Sequence, residues 1–489
     1  MASSNPLAST LGSLIAPHLS RRAFLRRSTA ASLWIASPLA ALPRAQAAIQ
    51  NNAVLADYTL EISELEWEIA PGKRIHTSAY NGQIPGPLLR LTEGKPVTID
   101  VVNRLTRPEI VHWHGQWIPP SVDGSMEEGT PMIAPGARTR IQFTPRPFGL
   151  HWYHTHIHAN RDFHLGLYNG QFGFLLVEPS VGASSSARAS SRDGWEASPG
   201  AYDQEHFLVL HEWDAYFVAS DDGSEEVAYR YGTINGRMLG HADPISVRPG
   251  QRILLHILNA SATLPHWLAL PGHQFQIVAL DGRPVPTQAK VDTLRLGPAE
   301  RISALVTMDH PGVWILGETD PKLRDAGLGA VIEYAGSTSK PQWTDPASLS
   351  WDYRAFGDAT PHIGPKPDIA LPLVFTSKFQ GHGALNRWMI DGKSFPDQVP
   401  ITFRQGLRHR LIFNNRSMDD HPIHLHRHAF ELASIAGKPT SGVYKDVVIV
   451  RAGTVVEANL IPDNPGPTLF HCHQQDHMDL GFMALIHYA

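Results

Sequence analysis

The only cysteine among the 489 residues, Cys472, lies in HCHQQDHMDLGFM (471–483), between His471 and His473 and five residues before His477. A lone cysteine is usually a small buried hydrophobe. One flanked by two histidines is a candidate metal ligand. Thiolate and imidazole together suit a soft transition metal, and a His2Cys set is that of a copper electron-transfer site.

The other histidines follow a pattern. His112-Trp113-His114, His154-Thr155-His156, His424-Leu425-His426 and His471-Cys472-His473 are four His-x-His pairs. In a strand, residues i and i+2 point to one face. Each pair therefore presents two imidazoles side by side, with the middle residue turned away. Eight imidazoles are too many for one ion and suit a cluster, and neutral imidazole binds copper well. Cys472, one residue out of phase, faces the opposite way, where His421 and His477 can complete a His2Cys site. Thiolate, backbone and imidazole then form a continuous covalent path from a mononuclear ion to the cluster. A zinc reading of Cys472 is weaker, because closed structural zinc usually takes more thiolates. A reading without metal treats the pairs as polar strand faces and leaves their repetition unexplained.

The elements that must hold these residues come from an internal repeat. NGQIPGPLLRLTEGKPVTIDVVNRL (81–105), INGRMLGHADPISVRPGQRILLHILNAS (234–261) and IDGKSFPDQVPITFRQGLRHRLIFNNRS (390–417) each open on Asn-Gly or Asp-Gly, a tight-turn signal. Each continues through a Gly into an alternating strand that ends in Asn: Gly94 to Asn103, Gly250 to Asn259, Gly406 to Asn415. Short alternating runs with abundant Gly and Pro predict an all-β chain of three consecutive β-sandwich domains. The expected divisions are 48–180, 204–336 and 370–489, joined by linkers at 181–203 and 337–369. These connections are Ser/Ala/Gly-rich or Pro-punctuated and could instead be long functional loops. The first and third copies carry the histidine pairs. The second has Leu268-Ala269-Leu270 and Gly317-Glu318-Thr319 at the equivalent places. The cluster is therefore expected between domains one and three, with domain two holding them together and carrying no ligand.

SRRAFLRR (20–27), the apolar run STAASLWIASPLAAL and Ala45-Gln46-Ala47 read as an export signal over residues 1–47, cleaved at a small-residue site. Its apolar run is too short for a stable membrane anchor. Arg21 and Arg22 with Phe24 and Leu25 resemble the twin-arginine signal of bacteria. A periplasmic or secreted protein is expected. Removing this segment takes the formal charge from −5 to about −10. An acidic chain without basic runs argues against nucleic acid as partner, and one cysteine excludes an internal disulfide.

HWHG (112–115), HWYHTH (151–156), HPIHLH (421–426) and HCHQQDH (471–477) together resemble the three-domain multicopper oxidases, laccase-like and bacterial, from about Tyr58 to the end. The resemblance implies cupredoxin-like Greek-key sandwiches and four coppers per chain. It implies type 1 copper on His421, Cys472 and His477, with Phe482, ten residues after the Cys, at the axial position as a non-coordinating side chain. Type 2 copper falls on His112 and His424. The type 3 pair falls on His114, His154, His156, His426, His471 and His473. The implied reaction couples one-electron oxidation of phenolic or aromatic donors to reduction of dioxygen to two waters. The alternative donor is Cu(I) or another metal ion, for metal tolerance. Nine Met and no Met-rich insertion count against a Cu(I)-docking site. A non-enzymatic relative would have lost ligands, and here all are kept. Besides Cys472, the resemblance gives a catalytic role to Asp123, as an acid that relays protons near type 2 copper. Asp123 also suits a turn before Gly124. Asp479 is a second acid to place, for a position near the type 1 copper where substrate would arrive. His151, His158, His164, His428 and His487 are expected as packing residues or partners of ligands. A one-residue shift would bring Met483 to the axial place, but a slipped strand turns its side chains to the other face.

Overall fold

The structure is a computed structural model and describes residues 55–180, 201–362 and 364–489. The export segment expected over 1–47 and residues 181–200 of the first linker lie outside them. Six β-sheets form the three cupredoxin-like sandwiches.

One sheet of each sandwich matters for the site, and its strand order is the same three times. In the first it runs Leu89–Thr92, Phe172–Glu178, Gly149–Thr155, Val111–His114. In the second it runs Ile245–Val247, Gly329–Tyr334, Val313–Glu318, His266–Ala269 and then Thr293–Leu296. In the third it runs Ile401–Phe403, Met483–Tyr488, Thr468–Cys472, His421–Leu425 and then Val447–Val450. The first pairing in each order is parallel and the next two are antiparallel.

The repeated residues do the same work in each copy. Asn81, Asn235 and Asp391 have φ of 53°, 53° and 52°, and the glycine that follows each also has positive φ. Two such residues in succession make the tight hairpin turn that the dipeptide predicts. Asn103, Asn259 and Asn415 are buried. Each amide donates to at least two carbonyls, Arg107 and Ile133, Leu264 and Leu296, or Asp419 and Val450. Each oxygen accepts the backbone N–H two residues on. This ties the end of the long strand to the segment leading into the histidine-bearing strand.

One apolar core runs through the second and third sandwiches and includes Cys472, Phe470, Phe482 and Trp388. A second lies within the first sandwich. A third, with Trp152, Phe172, Val209, Trp213 and Leu258, joins the first sandwich to the second. Part of the expected 337–369 linker is packed: the turn Tyr353–Phe356 buries both its aromatic rings, and Tyr353 donates to Glu300.

Candidate metal centre

Antiparallel register brings the histidine pairs together within each domain. His112 faces His154 across two strands, and His424 faces His471. In the second domain the corresponding cross-strand pair is Leu268 and Glu318. The first and third domains then meet on these faces. His112 stacks on His426 with ring centroids 4.0 Å apart, and His114 stacks on His424 at 3.8 Å.

Three groups of ligand atoms result. His112, His114 and His424 converge, as do His114, His154 and His473, and His156, His426 and His471. All are buried. Burial first, and neighbouring imidazoles second, hold His114, His424, His426 and His473 well below the usual histidine range. These rings are therefore neutral, the form that binds a transition metal. Six of the eight cluster rings have one nitrogen tied down. His112 and His424 each donate through Nδ1 to a backbone carbonyl, of Asp123 and Asp446, at 2.8 Å. His154 and His471 donate to the carbonyls of Thr155 and Cys472. Their inward nitrogens are another matter. Nε2 of His112, His154 and His424, Nδ1 of His114 and both nitrogens of His156 and His473 are buried without a hydrogen-bond partner. An orphaned buried polar atom costs about 1–3 kcal/mol, and metal ions at this convergence would engage one nitrogen of each ring. The residues fit a copper cluster.

Cys472 is turned away from this face. Its Sγ lies 3.7 Å from Nδ1 of His421 and 3.6 Å from Nδ1 of His477, and the two nitrogens are 3.2 Å apart. Bonds of ~2.0–2.3 Å in a trigonal site would place ligand atoms roughly 3.5 Å from one another. The three atoms fit one ion. Burial pushes the Cys472 thiol well up and draws His421 down to about 3. The imidazole is ready to bind, and a cation must displace the thiol proton. Cys472 and His421 are 0% exposed and His477 is 8% exposed, so His477 is the side of the site nearest solvent. Trp388 lies against it, ring centroids 4.0 Å apart. Phe482 is fully buried with its ring 4.7 Å from that of His421. Met483 packs instead with Leu469 and Met478.

Asp123 sits in the short helix Pro120–Asp123, ended by Gly124 at φ 97°. Any side chain at 124 would meet the Val111 carbonyl. Asp123 thus closes a turn and also lies against the cluster histidines. Its carboxylate accepts from His426 Nδ1 at 2.8 Å and lies 3.1 Å from His112 Nδ1. It orients one imidazole from each domain. Beside it, Glu128 accepts the Leu469 N–H at 2.6 Å and approaches His426 and Arg427. Burial, reinforced by the Asp123 carboxylate, pushes Glu128 well above the usual carboxylate range.

Sequence reasoning missed Glu128, and it missed Asp446 and Arg301. Asp446 Oδ1 is 3.1 Å from His114 Nε2. Arg301, from the second domain and fully buried, donates to both Asp446 oxygens at 2.6 Å. Burial alone would draw the guanidinium down; Asp446 and Asp281 outweigh it and raise its pKa. The second domain thus reaches His114 by way of Arg301 and Asp446.

The remaining histidines stay outside the ligand groups. His151 bonds the Pro147 carbonyl. His158 bridges Asp479 and Glu127, which with their carboxylates raise it to about 10. His428 contacts the His426 carbonyl and the Tyr488 hydroxyl. His164 and His487 are exposed. Asp479 does not face incoming substrate. Its side chain is fully buried, accepting the backbone N–H groups of Ala159 and Asn160 at 2.9 and 2.6 Å as well as His158. It fastens a loop of the first domain to the helix Gln475–Asp479 of the third.

Family models described as multicopper oxidase match residues 61–181, 211–335 and 367–488. The chain is 30% identical to the multicopper oxidase MmcO of Mycobacterium tuberculosis, over 98% of this chain and 95% of that protein. It is 24% identical to copper resistance protein A of Pseudomonas syringae pv. tomato, over 94% and 98%. The crystal structure of a multi-copper oxidase from Pseudomonas thermotolerans superposes with a TM-score of 0.66 at 25% identity, covering 88% of this chain and 98% of that one. This chain carries an imidazole cluster between its first and third sandwiches with a single cysteine on one of the cluster's strands, and it belongs to the multicopper oxidase family of copper-dependent oxidoreductases that act with dioxygen.

Proposed function

We propose that the chain oxidises small phenolic or aromatic donors one electron at a time. The observation that carries this reading is Cys472 placed back to back with His471 and His473 on one strand. Type 1 copper is assigned to His421, Cys472 and His477, type 2 to His112 and His424. The type 3 pair is assigned to His114, His154 and His473 with His156, His426 and His471. Copper so held would pass single electrons from donor to cluster and reduce dioxygen to two waters. The protein's part is to admit the donor beside His477 and Trp388, keep the thiolate dry, and lead electrons along Cys472 to both neighbouring imidazoles. The His471 Nδ1–H bond to the Cys472 carbonyl, 2.9 Å, shortens one arm of that route.

A metal-ion donor is the second reading. Asp419, just before His421, has its carboxyl raised by burial and by Glu226, Asp420 and Asp222. That concentration of acids would favour a cation, and a relative bears the name copper resistance protein A. Oxygen uptake by copper-loaded protein with phenols, bilirubin, Cu(I) and Mn(II) side by side decides between them. Fastest turnover of a metal ion would overturn the phenolic reading. Export by a twin-arginine route to the periplasm remains our proposal. It is supported by the composition of residues 1–47, and among the described residues no helix is long and apolar enough to cross a membrane. The three domain spans expected from the repeat are kept as the proposed divisions.

Asp123→Asn should slow reoxidation by dioxygen about 10- to 100-fold and leave reduction of type 1 copper by donor nearly unchanged. The carboxylate touches His112 and His426 and no donor. Stopped-flow bleaching and recolouring separate the two steps; slower bleaching alone would show Asp123 misassigned.

Phe482→Met should lower the type 1 potential and slow oxidation of poorly reducing phenols, because a thioether stabilises Cu(II) relative to Cu(I). Met483→Leu should leave the potential unchanged. The reverse pattern in redox titrations would mean that Met483 is the axial residue.

A further inference from the structure

Gln474 follows the ligand His473 and precedes the helix Gln475–Asp479. Its side chain is anchored at the far end. Nε2 donates to the carbonyl of Thr263, in the second domain, at 2.9 Å. The next residue's backbone N–H donates to the Ala262 carbonyl at 2.8 Å. Ala262 and Thr263 are 1% and 6% exposed, so water competes little. This bond fixes which way the amide points. A carbonyl accepts N–H, and the flipped amide would set oxygen against oxygen.

The amide oxygen is consequently held on the other side, 3.5 Å from Cys472 Sγ. Without metal the thiol hydrogen can satisfy it. Metal binding removes that hydrogen, because the thiolate and not the thiol is the ligand. His421 Nδ1, engaged with the ion, carries none either. An amide oxygen locked beside a thiolate, with no hydrogen between them, faces the bound ion as an electropositive partner.

We propose that Gln474 Oε1 is a weak axial oxygen ligand of the mononuclear copper, in a site where Phe482 offers no donor. This rests on the type 1 assignment to His421, Cys472 and His477. An amide oxygen in that role is chemically reasonable. It would favour Cu(II) over Cu(I), setting the potential below that of the same site without it. The second domain, through the Thr263 carbonyl, would thereby help to set the driving force for donors.

The test uses copper-loaded full-length protein with Gln474→Leu and Gln474→Glu. Redox titration reads the type 1 potential, and EPR and the visible charge-transfer band read its geometry. Gln474→Leu should raise the potential, with a changed parallel hyperfine splitting and a shifted band. Gln474→Glu gives up the bond to the Thr263 carbonyl but places a charged oxygen donor next to the copper, and should lower the potential. A blue wild type whose potential and EPR survive Gln474→Leu unchanged overturns the proposal. If Gln474→Leu fails to fold, Gln474→Glu decides: a lowered potential with an altered EPR signal supports it, and a potential at or above wild type overturns it. A wild type lacking blue absorption is a different failure, that of the type 1 assignment itself.

Discussion

Cys472→Ser should give a colourless protein whose oxygen uptake with any donor falls to background, carrying about three coppers instead of about four. The blue absorption needs sulfur bound to copper, and a serine hydroxyl neither supplies it nor ionises readily enough to replace it. The fold should survive. Cys472 is fully buried beside Phe470 and Phe482, and oxygen fits where sulfur did. Burying the new hydroxyl costs about 1–3 kcal/mol if unpaired, but Gln474 Oε1 is positioned to accept from it. His471 and His473 keep their backbone positions and their outward contacts, so the cluster should still load. The informative measurement is EPR of the variant: a type 2 signal without a type 1 signal. A wild type that is active yet colourless would sink the assignment of Cys472 and with it the electron path.

What the sequence revealed here follows local periodicity. Four His-x-His pairs are legible because a strand turns residues i and i+2 to one face, and the cross-strand pairs His112/His154 and His424/His471 follow from similar strand order in each copy. The Asn-Gly and Asp-Gly turns were legible for a similar reason, since few residues accept two successive positive φ values. Other contacts set by docking of domains, outside the repeated histidine pairs, were not legible. Asp446 meets His114 from 332 positions away, and Gln474 meets Thr263 from 211; no periodicity links such residues. Asp479 was misjudged because proximity in sequence to His477 says nothing about direction. The helix that carries it is pinned against residues 157–160, which turns the carboxylate inward.

Arg301→Leu should destabilise the protein by about 3–5 kcal/mol, the usual cost of breaking one side of a buried ion pair. The pair is isolated from solvent: Arg301 is 0% exposed and the Asp446 side chain 5%. Gly115 is part of that enclosure. Its φ is 83°, and a Cβ there would come 2.6 Å from His151 Nδ1, 2.7 Å from Asp446 Oδ2 and 3.1 Å from Arg301 Nη2. Burial pushes the Asp446 carboxyl up and Arg301 pulls it back down; without Arg301 the carboxyl takes up a proton or draws one from its surroundings. Its contact with His114 Nε2 then changes, and so does the hold on His424 through the Asp446 backbone carbonyl. The cluster should therefore lose copper, type 2 first, while the blue type 1 site in the third domain persists. A thermal midpoint lowered by several degrees, a reduced type 2 EPR signal and intact blue absorption form the expected set. Arg301→Lys keeps the charge but not the two-point grip, and should fall between. The double variant Arg301→Leu with Asp446→Asn removes both charges and should recover part of the stability but not the copper. If Arg301→Leu unfolds at the wild-type temperature and retains type 2 copper, the buried pair does not hold the cluster in place, and the second domain's part at this face is reduced to packing.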